Sequence, residues 1–297
     1  MNPSTLAYFS DYELQLGMIK SPNQVYANMA SWIWSNRGRA AGVANDVNNS
    51  LNLKGRHAFQ AHIPTLAVGH VEEMVIVSAN PGYSSISNQA ENTYRSSSIG
   101  NNEQFCSDFF NTYPMVTSKR SMWWTKALGF AHLIQMHTLQ PDTRLRWAWA
   151  QNRPLAAKGG ISGVANFDLI PLHSTSDGFR LMSGSSPANS LLRSIAVATL
   201  RMIVNLNPAP RLIFIASSAG MNLLKIHHQS FGLTPVFHPA PLSINAYLQT
   251  YRHGASGRTV VTFGRQMFAG NFAMNTPAGY TPQLLANFLR PLANPTY

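Results

Sequence analysis

Five short apolar runs alternate with longer stretches patterned for helices, and that alternation leaves few folds open. The runs are Met74-Val75-Ile76-Val77, Gly163-Val164-Ala165-Asn166-Phe167, Leu212-Ile213-Phe214-Ile215, Pro235-Val236-Phe237 and Thr259-Val260-Val261-Thr262-Phe263, each giving way to turn residues. Helix candidates lie between and after them, at about 121–138, 187–206, 217–230 and, following Thr281-Pro282, 281–290. Strands that are apolar throughout are buried on both faces, so the pattern predicts an α/β fold with a parallel central sheet flanked by helices. Binding residues are then expected just beyond the carboxyl ends of the strands. The first 68 residues read differently. Ser21 followed by Pro22 supplies a cap and a first-turn proline, and Val25, Met29, Trp32 and Ile33 recur at helical spacing as far as Gly38, taken as the stop. An N-terminal helical extension over 1–68 and an α/β domain over 69–297 are therefore expected.

Charge narrows the partners. The chain carries 22 Lys and Arg against 11 Asp and Glu, a net charge of +11, although only 11% of its 297 residues are charged. The imbalance is a shortage of acids. Such a field attracts polyanions, of which nucleic acid is the commonest partner, with an anionic membrane surface or mere solubility as the alternatives. No run approaches the ~20 apolar residues of a membrane span. The single cysteine, Cys106, cannot close an internal disulfide or hold an iron–sulfur cluster or zinc ribbon, and the opening MNPSTLAYFSDYELQ lacks the basic-then-apolar order of a secretion signal. A cytoplasmic monomer without metal or other cofactor is expected. His227-His228 and the pair His57 and His62 lack carboxylates at a ligand spacing, and Lys158-Gly159-Gly160 reads as a turn rather than a phosphate loop.

Three segments combine a strand with polar residues beyond it. The run Val75-Ile76-Val77-Ser78-Ala79 opens into Asn80-Pro81-Gly82-Tyr83-Ser84 and then a Ser/Asn-rich stretch, 84–102. Taken alone, Asn-Pro-Gly is an ordinary way to leave a strand. The second run reaches Asn166, whose amide both donates and accepts, as reading a pyrimidine edge requires; backbone satisfaction of a buried amide is the plainer alternative. The third is His238-Pro239-Ala240-Pro241-Leu242-Ser243, a loop stiffened by two prolines, in which His238 can donate to an anionic leaving group and Leu242 can fill the gap left by an extruded nucleotide. A structural Pro-rich corner fits that loop equally well.

In order along the chain, the three segments resemble the motifs of the uracil-DNA glycosylase superfamily. Asn80-Pro81-Gly82 is similar to the Gly-x-Asn-Pro-Gly form of the first motif, with Ser78 where the family usually has Gly. Asn166 matches the base-reading amide, in a segment shorter in aliphatics than usual. His238 to Ser243 resembles the His-Pro-Ser-Pro-Leu-Ser loop, with Ala240 replacing one Ser, and Arg211–Ile215 followed by Ala219-Gly220 resembles the penultimate strand and helix start. The likeness covers roughly 70–250.

The resemblance implies a monofunctional DNA N-glycosylase that flips a pyrimidine and hydrolyses its N-glycosidic bond. Asn80 would orient the attacking water and His238 would donate to the pyrimidine O2 as charge gathers there. Asn166 would read the base, and Pro239, Leu242, Ser243 and Arg252 would contact DNA. Where uracil-specific relatives carry a bulky Tyr that blocks C5, this chain has Gly82. The expected substrate is accordingly a C5-substituted pyrimidine, with Tyr83 and Ser84 at the pocket and Tyr94 or Phe105 stacking on the base. The same openness suits excision of glucosylated hydroxymethylcytosine from viral DNA. Arg95, Lys119, Arg120, Lys225 and Arg258 are further candidates for phosphate contacts.

Two other readings compete. Ala216-Ser217-Ser218-Ala219-Gly220 imitates a nucleophile elbow and suggests a serine acyl hydrolase, but no Asp or Glu follows Ser218 to complete a triad. A DNA-binding module without catalysis would use the same charge and helices, binding DNA and leaving no abasic sites.

Overall fold

A computed structural model describes residues 1–21, 24–59, 67–69, 74–79, 164–172, 182–237, 248–263 and 282–293. Among them are helices α1 (Pro3–Met18), α2 (Ala30–Ser35), entered through a π-helical turn at Val25–Met29, α3 (Arg37–Leu51), α4 (Pro187–Val204), α5 (Ser218–His227) and α6 (Pro282–Ala293). The strands are β1 (Ala67–Gly69), β2 (Met74–Ser78), β3 (Val164–Asp168), β4 (Leu212–Ile215), β5 (Leu233–Val236), β6 (Leu248–His253) and β7 (Thr259–Phe263). The expected strands and three of the four expected helices are present; the helix at 121–138 lies outside the described residues.

The strands form one seven-stranded sheet in the order β1-β3-β2-β4-β7-β6-β5. β2, β4 and β7 are parallel neighbours, with Val75 beside Ile213 and Ile213 beside Val260. Met74–Val77 and Leu212–Ile215 are buried throughout, as both-face burial of parallel strands requires. The remaining edge is antiparallel, which the sequence pattern did not indicate: β7 pairs with β6 and β6 with β5. Its cause is connection length. Only Gly254–Arg258 separate β6 from β7, too few for the crossover of a dozen or so residues that a parallel pair needs.

The chain divides into two compact units, one holding the described parts of 1–68, 78–108 and 167–208, the other those of 69–77, 109–166 and 209–297. In the first, α1 packs against α3 and α4. Asn2 caps α1 by accepting from the Thr5 N–H at 2.9 Å, with Pro3 at the first helical position, and Ser186 with Pro187 starts α4 in the same way. Tyr8, Phe9 and Tyr12 are fully buried, and the Trp32 ring lies against both tyrosines at 5.3 and 5.6 Å. Gly38 does not end a helix: it is the second residue of α3, and the break falls at Asn36, whose amide donates to the Trp32 carbonyl at 2.9 Å. Glycine is tolerated there because the first turn holds few intrahelical bonds. In the second unit, α5 and the short 3₁₀ turn His228–Phe231 lead from β4 to β5.

Candidate active site at the carboxyl ends of the strands

The chain visits β2, β3 and β4 in turn, yet β2 lies between the other two. From β2 the chain therefore goes to one neighbour and then to the neighbour on the other side, and in an α/β sheet such a reversal of strand order marks where ligands bind, beyond the carboxyl ends of the strands. The ends of β2 and β4 are adjacent: the Ala216 N–H donates to the Val77 carbonyl at 2.9 Å. Past the strands, Leu169 donates to Ser78 at 3.0 Å and Ile170 to Ala79 at 2.9 Å, so the exits of β3 and β2 also run side by side. Ser78 and Ala79 are half-buried, and the Asn-Pro-Gly motif begins at the next residue.

Asn166 and Arg252, with the further phosphate candidates Lys225 and Arg258, are the expected site residues that fall among the described residues. Asn80, Gly82, Tyr83, Ser84, Tyr94, Phe105, His238, Pro239, Leu242 and Ser243 lie outside them, as do Cys106, His62, Arg95, Lys119 and Arg120. Asn166 is the third of five residues in β3 and is 8% exposed. The strand runs on for two residues, so its last position belongs to Asp168. That carboxylate is 3% exposed and, two residues on, shares the strand face of Asn166. The expected run ends at Phe167, one residue short of Asp168, because an acidic residue gives no apolar signal for continuing a strand. The Tyr12 hydroxyl is buried without a hydrogen-bond partner, and burial, then Tyr8, then Asp168 push its pKa well above the usual tyrosine value. Tyr12 is neutral in the fold.

Arg252 is exposed on β6, paired across the strands with the exposed Thr234 of β5. β5 is the edge strand that leads into the third motif. It runs parallel to β4 by way of two antiparallel steps, so its carboxyl end points the same way as those of β2 and β4. Four strand spacings of ~4.8 Å nevertheless separate β5 from β2, about 19 Å.

Ser217 and Ser218 follow β4 directly. Ser217 is the helix cap, its Oγ accepting from the Gly220 N–H at 3.3 Å, and Ser218 is the first residue of α5. A nucleophile elbow holds its serine in a strained turn, but among the described residues only Asn52 is a non-glycine with positive φ. Ser217-Ser218 is an ordinary capped helix start. The described histidines of this unit, His227, His228 and His253, also have structural partners. His228 lies against Tyr251 with ring centres 5.7 Å apart, His227 against Phe231 at 6.2 Å, and the His253 Nδ1 sits 2.8 Å from the Ser256 Oγ at the opposite end of the sheet. Among the described residues no three His, Cys, Asp or Glu are grouped to hold a metal, and no helix is long and apolar enough to cross a membrane. Comparison with models of known protein families and with curated protein sequences finds no match.

Proposed function

We propose that the chain is a DNA glycosylase that extrudes a C5-substituted pyrimidine and hydrolyses its N-glycosidic bond. The observation that carries this reading is the pairing of the β2 and β3 exits through Ser78–Leu169 and Ala79–Ile170 at a sheet position where the connections reverse. The strand that carries Asn166 and the strand that precedes the Asn-Pro-Gly motif in the sequence thereby leave the sheet as neighbours. In the reaction the C1′–N1 bond breaks with its electron pair going to the base, the water oxygen adds to C1′, and the water's proton neutralises the departing base. Asn80 orients that water, Asn166 reads the base, and His238 donates to O2 as negative charge develops. Two residues of chain span at most ~7 Å, so Asn80 and His238 flank one nucleoside only when both exits lean inward across the width of β4, β7 and β6.

No bound cofactor enters these steps, and the reading is of a monomer in a reducing cytoplasm. Glucosylated hydroxymethylcytosine in foreign DNA is the substrate that best uses an unobstructed C5. Mass spectrometry of bases released from DNAs carrying different pyrimidines tests the whole reading; DNA binding without abasic sites would favour a non-catalytic module. His238→Ala is expected to lower kcat about 100-fold while leaving DNA affinity nearly unchanged, as loss of a donor to a developing anion does. Gly82→Tyr is expected to abolish release of C5-substituted bases and spare uracil.

A further inference from the structure

Four carboxylates fall among the described residues, and three of them stand on helices, exposed or half-buried: Asp11 and Glu13 on α1 and Asp46 on α3. Asp11 pairs with Arg39 at 3.2 Å, and Asp46 accepts from the Asn2 N–H at 2.8 Å. Asp168 differs in both place and burial. It is the last residue of β3, on the carboxyl rim of the sheet, and is 3% exposed. Buried acids of this kind concentrate at functional sites.

Its position along the strand is informative. Leu169, the next residue, donates to the Ser78 carbonyl, and Ile170 to that of Ala79, so Asp168 stands at the start of the paired exits of β2 and β3. Asn80 follows Ala79 directly in the sequence. Asn166 lies two residues deeper on the same strand face, about 7 Å away. A pyrimidine read at Asn166 therefore directs its sugar outward along β3, toward the rim that Asp168 occupies. Tyr12, which lies in the field of Asp168, is buried and uncharged and so does not cancel that field.

Breaking the C1′–N1 bond leaves positive charge on the sugar, and Asn80, a neutral amide, has no charge to set against it. We propose that Asp168 is the ionised carboxylate that stabilises the cationic sugar at the carboxyl rim of the sheet, acting through space while Asn80 orients the water. No proton passes through it; the water's proton goes to the departing base as before. The inference rests on the proposed function and adds to it the group that carries the negative charge. In surroundings that hold little water, a carboxylate about 8 Å from a developing charge is worth about 10-fold or more in rate.

Two DNAs of one sequence give the direct test, the first with a pyrrolidine abasic analogue, cationic at neutral pH, and the second with its neutral tetrahydrofuran counterpart. Fluorescence anisotropy is expected to show wild type binding the cationic sugar about 10-fold or more tightly than the neutral one. Asp168→Asn, of the same shape, is expected to bind both equally, and Asp168→Glu, which keeps the charge, to retain the preference. If thermal melting shows that Asp168→Asn does not fold, Asp168→Ser supplies the uncharged side chain. Equal binding of the two analogues by wild type overturns the assignment whatever the variants do, and so does an undiminished preference in an uncharged variant. Base release is measured alongside, and Asp168→Asn is expected to lower kcat about 10-fold or more at unchanged affinity for the neutral analogue. Release by wild type with no preference for the cationic sugar removes the role of Asp168 and leaves the glycosylase standing. A preference that depends on Asp168, without release from any DNA, supports the charge at the rim and removes the glycosylase, and absence of DNA binding removes both.

Discussion

The Asn48 amide donates to the Phe59 carbonyl at 2.8 Å and accepts from the Phe59 N–H at 2.6 Å, closing the loop after α3 with one buried side chain. Both backbone groups are satisfied by a residue that the sequence offers no reason to single out. Asn48→Ala strands a buried donor and acceptor together and is expected to cost about 1–3 kcal/mol, read as a lower denaturant midpoint at unchanged slope. Asn166 poses the opposite case. Its amide stands out in an apolar run, but its position at the strand end was not legible, because the strand continues through Phe167 to Asp168 and leaves the amide mid-strand. Only pairing partners decide where a strand of mixed polarity stops, and those lie far away in sequence.

At the scale of elements, apolar runs and capping residues were informative. Leu212–Ile215 is a strand with the bounds its sequence suggests, and Ser186-Pro187 begins a helix that ends within two residues of its expected limit. β6 was not foreseen. Leu248-Gln249-Thr250-Tyr251-Arg252-His253 is strand only because it lies between β5 and β7. That hairpin carries its own prediction. Burial lowers the pKa of His253 below the ordinary 6.5, so the folded state disfavours a proton that the unfolded chain accepts. The stability this contributes is complete above about pH 6.5 and is lost as pH falls through the lower folded value. Thermal midpoints measured from pH 8 to 5 should decline accordingly, and His253→Gln should flatten the decline over that window.

For the whole molecule the governing quantity is the net charge of +11. DNA binding driven by such a field releases counterions, and about six phosphate contacts make affinity fall ~10³-fold between 50 and 200 mM salt. Fluorescence anisotropy across that range checks it, and a shallow dependence would contradict the polyanion reading. Charge, the alternation of buried strands with helices, and the residue types at the strand exits are set by local composition and spacing, so the α/β class was determined by the sequence alone. The order β1-β3-β2-β4-β7-β6-β5, the antiparallel edge and the packing of α1 on α4 were decided only in three dimensions. A period of two or of 3.6 residues specifies which side of an element is buried. It does not specify against what, because partners such as Met74 and Leu212 lie far apart in the sequence and are selected by the packing of the complete chain.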